Sequence, residues 1–190
     1  AAASALVASR LGGAPLDGLI NNAGIATGGP VEFVSLDQYR RAFEVNVVGL
    51  VAVTQAFLPL LRRGRGRIVN IGSGTALFGM PGISPYCAAR GGMTQMTKAL
   101  AAEWAPLGIT VNVLAPGWFN TPQTAILYDN PEWVASTSRS KTQRSPSLVT
   151  TSRALRSTLS TLIPVRSSMS CCLYQARVAS SSGSARPRSP

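Results

Sequence analysis

Apolar residues along this chain fall into two textures, short dense runs and long periodic stretches, and the two alternate. Three short runs, Leu16 to Asn21, Ile68 to Ile71 and Ile109 to Ala115, have strand length and are bounded by glycine or proline, which predicts buried strands. Residues 2–10 read as the end of a helix stopped by Gly12-Gly13. Ser35-Leu36-Asp37-Gln38 has the form of a capping box, with the hydroxyl at the N-cap and glutamine three residues on. It opens a long helix through Tyr39, Phe43, Val47, Leu50, Val51, Phe57, Leu58 and Leu61. These apolar positions cover much of its circumference, so the helix is expected to be buried on more than one side. Asn46 is its polar exception. A helix from Ser84 to about Pro106 carries Met93, Met96, Leu100 and Trp104 at helical spacing, a core-packing stripe, and Leu107-Gly108 closes it. Alternating strands and helices predict an α/β fold.

Composition adjusts this picture in two places. The 190 residues suit one domain, and 45% hydrophobic content supports a core. No apolar run looks long enough to span a membrane, and the opening AAASALVASRLGG lacks the charged start and apolar middle of a secretory signal. Three cysteines, two of them adjacent, define no disulfide framework and no metal spacing, so a reducing cytoplasm and no metal are expected. The absence of histidine excludes Ser-His-Asp and Cys-His catalysis. The net charge of +11 suggests a nucleic-acid partner until its distribution is read. Residues 1–135 hold nine Lys/Arg and all seven Asp/Glu, whereas residues 136–190 hold nine basic residues, sixteen serines and no acid. Tyr174 is the one aromatic residue there, which argues against a nucleic-acid surface built on base stacking. The chain therefore divides into a domain over 1–133 and a low-complexity tail over 134–190. The tail reads as a disordered basic segment, an Arg/Ser nucleic-acid binder or out-of-frame translation, and the abrupt change of texture favours the last.

Candidate chemistry lies between Arg67 and Lys98. A strand, a small-residue loop with Ser73, and a helix carrying Tyr86 and Arg90 form the strand-loop-helix context in which α/β proteins expose reactive groups. Four residues apart, Tyr86 and Arg90 share one helical face. A cation beside a phenol favours the phenolate, and a neighbouring hydroxyl can donate to a developing oxyanion, so the three suit proton transfer. Gly72-Ser73-Gly74 is no dinucleotide fingerprint, because Leu77 stands where the third glycine belongs.

Ser73 thirteen residues before a Tyr-x-x-x-basic motif, Asn21-Asn22-Ala23-Gly24, Asn46 within FEVNVVG, and Pro116-Gly117 followed by Asn120-Thr121-Pro122 occur in that order. Together they resemble the short-chain dehydrogenase/reductase family over about residues 1–133. The resemblance implies a partial Rossmann-like, doubly wound parallel sheet and hydride transfer between NAD or NADP and a small alcohol or ketone. It places Asn22, Ala23 and Gly24 beside the adenosine ribose, and Asn21 as a brace of the sheet. Asn46 would hold a proton-relaying water, Ser73 the substrate oxygen, and Tyr86 the transferred proton. Arg90 would meet the nicotinamide ribose, with Pro116, Gly117, Phe119 and Thr121 on the nicotinamide side. Helices 36–62 and 85–106 would build a homodimer or homotetramer. Two departures stand out. Arg90 occupies the family's lysine position, and no glycine-rich strand-turn-helix precedes Asn21. A guanidinium is a wider, planar fork than an ammonium, so low activity is expected. The alternative is an inactive remnant acting as a dimerisation module. Without strands before it, Leu16 to Asn21 should form an open sheet edge.

Overall fold

In this computed structural model, which describes residues 2–118, 124–132, 134–135 and 171–174, a first helix α1 spans Ala2–Arg10. It stops at Gly12 and Gly13, both at positive φ (54° and 95°), the left-handed turn a glycine pair permits. Strand β1 follows over Gly18–Asn21. Ser35 then caps α2 (Leu36–Phe43). Its hydroxyl accepts from the Gln38 N–H, and the Gln38 side chain accepts from the Ser35 N–H, so the expected capping box is formed. A π-helical turn, Glu44–Val48, joins α2 to α3 (Gly49–Gly64). The Gly49 N–H reaches back five residues to the Glu44 carbonyl, and such turns interrupt helices at places where a side chain must be re-aimed. Here the turn carries Asn46.

Strand β2 (Arg67–Ile71) leads into a 3₁₀ turn (Gly74–Ala76) and then α4 (Ser84–Trp104), with Pro85 in its first turn. A second 3₁₀ turn (Ala105–Leu107) ends at Gly108 in the left-handed conformation, and β3 runs over Thr110–Pro116. A short helix α5 (Ala125–Tyr128) and a strand β4 (Cys171–Tyr174) complete the described elements.

Strands β1, β2 and β3 are parallel neighbours in that order, with Asn21 opposite Asn70 and Asn70 opposite Val113. The α/β class and the parallel sheet of the sequence reading are thus present, with strand ends within two residues of those expected. β4 pairs antiparallel with β3, Val113 opposite Tyr174. Residues 171–174 lie in the tail, to which the sequence reading assigned no element. β1 is the outer strand among the described residues, and its Ile20 is 62% exposed, in keeping with the open edge expected there.

One face of the sheet is covered by α3 and α4. Leu61, Ile68, Ala101, Trp104, Ile109 and Val111 form one buried cluster, and Leu50, Met93, Val113 and Ala115 a second nearer the carboxyl ends of the strands. A polar ladder crosses this face. Asn21 Nδ2 donates to Thr54 Oγ1 (3.0 Å) and to Asn70 Oδ1 (2.9 Å), and Asn70 Nδ2 donates to Thr97 Oγ1 (2.9 Å). Buried amides persist only when paired, so the ladder sets one register for β1, β2 and both helices. Asn21 braces the sheet by these bonds.

Two expectations need correcting. The long helix is not buried on several sides: Phe43, Val48 and Val53 are all exposed. Nor does the chain lack a segment of spanning length. Leu36–Gly64 is a continuous helix of 29 residues, long and apolar enough to cross a membrane by length and composition. The π turn makes one helix of two segments, and 28% of its most apolar window is buried inside the domain.

Candidate active site

The carboxyl ends of β1, β2 and β3 deliver three short segments to one end of the sheet: the Asn22–Gly24 loop, the turn after Ile71, and Pro116-Gly117. This is where an open α/β sheet binds ligands. Arg90 anchors the arrangement. It is only 8% exposed, and its Nη1 donates to the Ile71 carbonyl at the end of β2 (2.9 Å). Its guanidinium carbon stands 5.0 Å from the centroid of the Tyr86 ring, one helical turn earlier, so the charge lies over the aromatic face. Nε is buried with no hydrogen-bond partner, an orphan donor in a group that is costly to bury unsatisfied.

Gly24 and Asn46 close around the other edge of the guanidinium. A Cβ on Gly24 would lie 2.5 Å from Arg90 Nη2 and 2.8 Å from Asn46 Oδ1. Both atoms belong to side chains held by other bonds, so only glycine fits. The Asn46 side chain bonds the chain just beyond: Oδ1 accepts from the Ile25 N–H (2.9 Å) and Nδ2 donates to the Ile25 carbonyl (3.0 Å). These two bonds clamp the loop that leaves β1. Asn22, Ala23 and Gly24 themselves are exposed to solvent.

Ser73 sits at the N-cap of the first 3₁₀ turn, which packs against α4. Its Oγ accepts from the Thr75 hydroxyl (2.9 Å) and the Thr75 N–H (3.3 Å). With both acceptor positions taken, the Ser73 O–H remains as a donor toward a ligand. Thr75 was missed in the sequence, although a threonine two residues after a loop serine is the pattern of a local side-chain turn. Also unforeseen were the Ile71 carbonyl and the Ile25 backbone, since main-chain acceptors leave no trace in side-chain identity. The Tyr39 hydroxyl and Ser84 Oγ, 2.6 Å apart, tie α2 to the start of α4 just before Tyr86. Pro116 closes the group: its carbonyl lies 3.9 Å from the position of a Cβ on Gly74. Phe119 and Thr121 lie outside the described residues.

The short chain dehydrogenase family model matches residues 1–132. The chain belongs to the short-chain dehydrogenase family. Among curated relatives, the mitochondrial D-beta-hydroxybutyrate dehydrogenase of Rattus norvegicus is 48% identical over 102 residues, covering 54% of this chain and 30% of the rat protein. The inactive 2-(S)-hydroxypropyl-CoM dehydrogenase 2 of Xanthobacter autotrophicus is 43% identical over 119 residues, 60% of this chain and 52% of that protein. Among solved structures, a gluconate 5-dehydrogenase from Burkholderia cenocepacia in complex with NADP and tartrate superposes with a TM-score of 0.65 at 36% identity, over 70% of this chain and 51% of that one. This short-chain dehydrogenase chain thus spans between about a third and half of the length of the relatives it matches.

The residues present fit part of a dinucleotide site: the Asn22–Gly24 loop is open to solvent, and the buried Arg90 Nε has no hydrogen-bond partner. No glycine-rich turn for a pyrophosphate stands among the described residues.

Proposed function

We propose that this chain carries the proton-transfer half of an NAD(P)-dependent dehydrogenase acting on a small alcohol or ketone. What supports this reading is that Arg90, over the Tyr86 ring, bonds the Ile71 carbonyl at the carboxyl end of β2, the strand that Ser73 follows by two residues. Asn22, Ala23, Gly24, Tyr86, Arg90, Pro116 and Gly117, with Phe119 and Thr121, would hold the cofactor, which when bound supplies or accepts the hydride. Ser73, its lone pairs occupied by Thr75, donates its proton into a hydrogen bond with the substrate oxygen and steadies the charge that develops there. The Tyr86 phenol exchanges a proton with that oxygen. Arg90 lies over the face of the Tyr86 ring, and Asn46, which positions the loop beyond Gly24, holds the water that relays protons to position 90.

The second reading is an inactive copy, and the same arginine favours it. Its charge is drawn to the Ile71 carbonyl and the Tyr86 ring face, whereas a lysine ammonium is a compact point charge on a flexible stem. Arg90→Lys is expected to raise the rate of NADH or NADPH oxidation with simple ketones about tenfold, followed at 340 nm. No turnover from either form with either nucleotide would establish the inactive reading instead.

The assembly we assign is a homodimer or homotetramer through helices 36–62 and 85–106. Phe43, Val48 and Val53 are exposed on the first helix, and Ala88, Gly92 and Ala99 line an exposed face of the second, small enough for close helix approach. Sedimentation velocity at micromolar concentration should show a dimer or larger, shifted to monomer by Val48→Glu. A monomer at all concentrations refutes the assembly.

A further inference from the structure

We propose that the substrate side of this site takes an uncharged ketone or alcohol with an apolar body and discriminates against keto and hydroxy acids. The inference rests on the dehydrogenase reading above and names its substrate class. Two loops flank Ser73 and Tyr86, and neither offers a charge. From Gly18 to Val31 there is no charged residue, and from Ile68 to Thr97 the one charged residue is Arg90. Arg90 is buried, bonded to the Ile71 carbonyl and walled by Gly24 and Asn46. A substrate carboxylate cannot pair with it unless that packing opens.

In place of charge, the loops present hydrocarbon. The Phe78 ring edge lies 3.0 Å from where a Cβ on Gly74 would stand, so the ring rests on the residue after Ser73 while remaining 55% exposed. Leu77 beside it is exposed as well. The loop after β1 reaches the same place. Gly29 N–H donates to the Gly82 carbonyl (2.6 Å), and a Cβ on Gly28 would touch Ile83 Cγ2 at 3.0 Å, three residues before Tyr86. Val31 and Phe33 on that loop are both exposed. Phe78 rests beside the residue after Ser73, and exposed apolar side chains of this kind gain from covering by an apolar ligand. An ionised carboxylate placed among them loses hydration and meets no free cation among the described residues of these two loops.

The test separates charge from apolar contact, and binding from turnover. Saturation-transfer NMR on the full chain would compare methyl acetoacetate with acetoacetate, which differ chiefly in charge, and would titrate cyclohexanone against the native protein, Phe78→Ala and Phe78→Leu. The expected result is binding of the ester at least about tenfold tighter than the acid. Cyclohexanone should weaken about three- to tenfold in Phe78→Ala and recover in Phe78→Leu. Phe78 is half exposed, so its replacement leaves the core intact. Equal binding of ester and acid overturns the proposal, as does cyclohexanone binding indifferent to position 78. Cyclohexanone binding that depends on Phe78, without oxidation of NADH or NADPH, upholds the subsite and removes the dehydrogenase reading. Turnover of ketones and keto acids alike does the reverse.

Discussion

Tyr86→Phe is expected to lower kcat by about 10²- to 10⁴-fold, the range general acid-base catalysis supplies, with KM for the ketone changed far less. The variant removes one oxygen and keeps the ring. Arg90 retains the aromatic face it lies over, 5.0 Å from the centroid, and the Ile71 carbonyl it donates to, so the packing of α4 on the sheet is preserved. A thermal midpoint equal to that of the parent would confirm this. The measurement is best made in the Arg90→Lys background, where the higher rate widens the range over which a loss can be read. A Tyr86→Phe enzyme retaining more than about a tenth of the parent rate would show that the phenol does not move the proton.

The second large effect belongs to Ser73. Removing one donor to a developing oxyanion costs about 10²- to 10³-fold in kcat in comparable sites, and Ser73→Ala should fall in that range. Such a loss requires the donor to be available, and Thr75 makes it so by filling both acceptor positions of the Ser73 oxygen at 2.9 and 3.3 Å. Thr75→Val removes the shorter of these bonds and leaves Ser73 free to turn. It should therefore cost less than Ser73→Ala, about tenfold, and act mainly on kcat. Losses of equal size from both variants would mean that the turn as a whole matters and that the serine proton has no separate role. Steady-state kinetics on the two variants, with circular dichroism to verify the fold, decide between these outcomes.

Several features of the fold are legible in the sequence. The Ser35 capping box formed as its spacing predicts, Gly108 closed α4 in the left-handed conformation, and the Met93 and Trp104 stripe became core. These signals are local: a cap needs only residues three apart, and a helical stripe only a period. Asn21 is intermediate. Its place as a brace followed from the resemblance, but its partners Thr54 and Asn70 lie 33 and 49 residues away and no pattern names them.

The amino-acid sequence by itself determined the order of the main strands and helices over residues 2–116, the approximate positions of their ends, the family, and the spacing that sets Ser73 before Tyr86 and Arg90. Each depends on residues close along the chain, where periodicity, caps and turn residues act. Only the tertiary structure decided what those residues touch. It set Arg90 against a main-chain carbonyl and an aromatic face, turned the Asn46 amide toward Ile25, enlisted Thr75 to orient Ser73, laid residues 171–174 antiparallel on β3, and left Val48 and Val53 of the long helix exposed. The reason is physical. A side chain's partner and its burial are settled by segments that meet from far along the chain, and main-chain groups, which supply many of those partners, are the same in every residue.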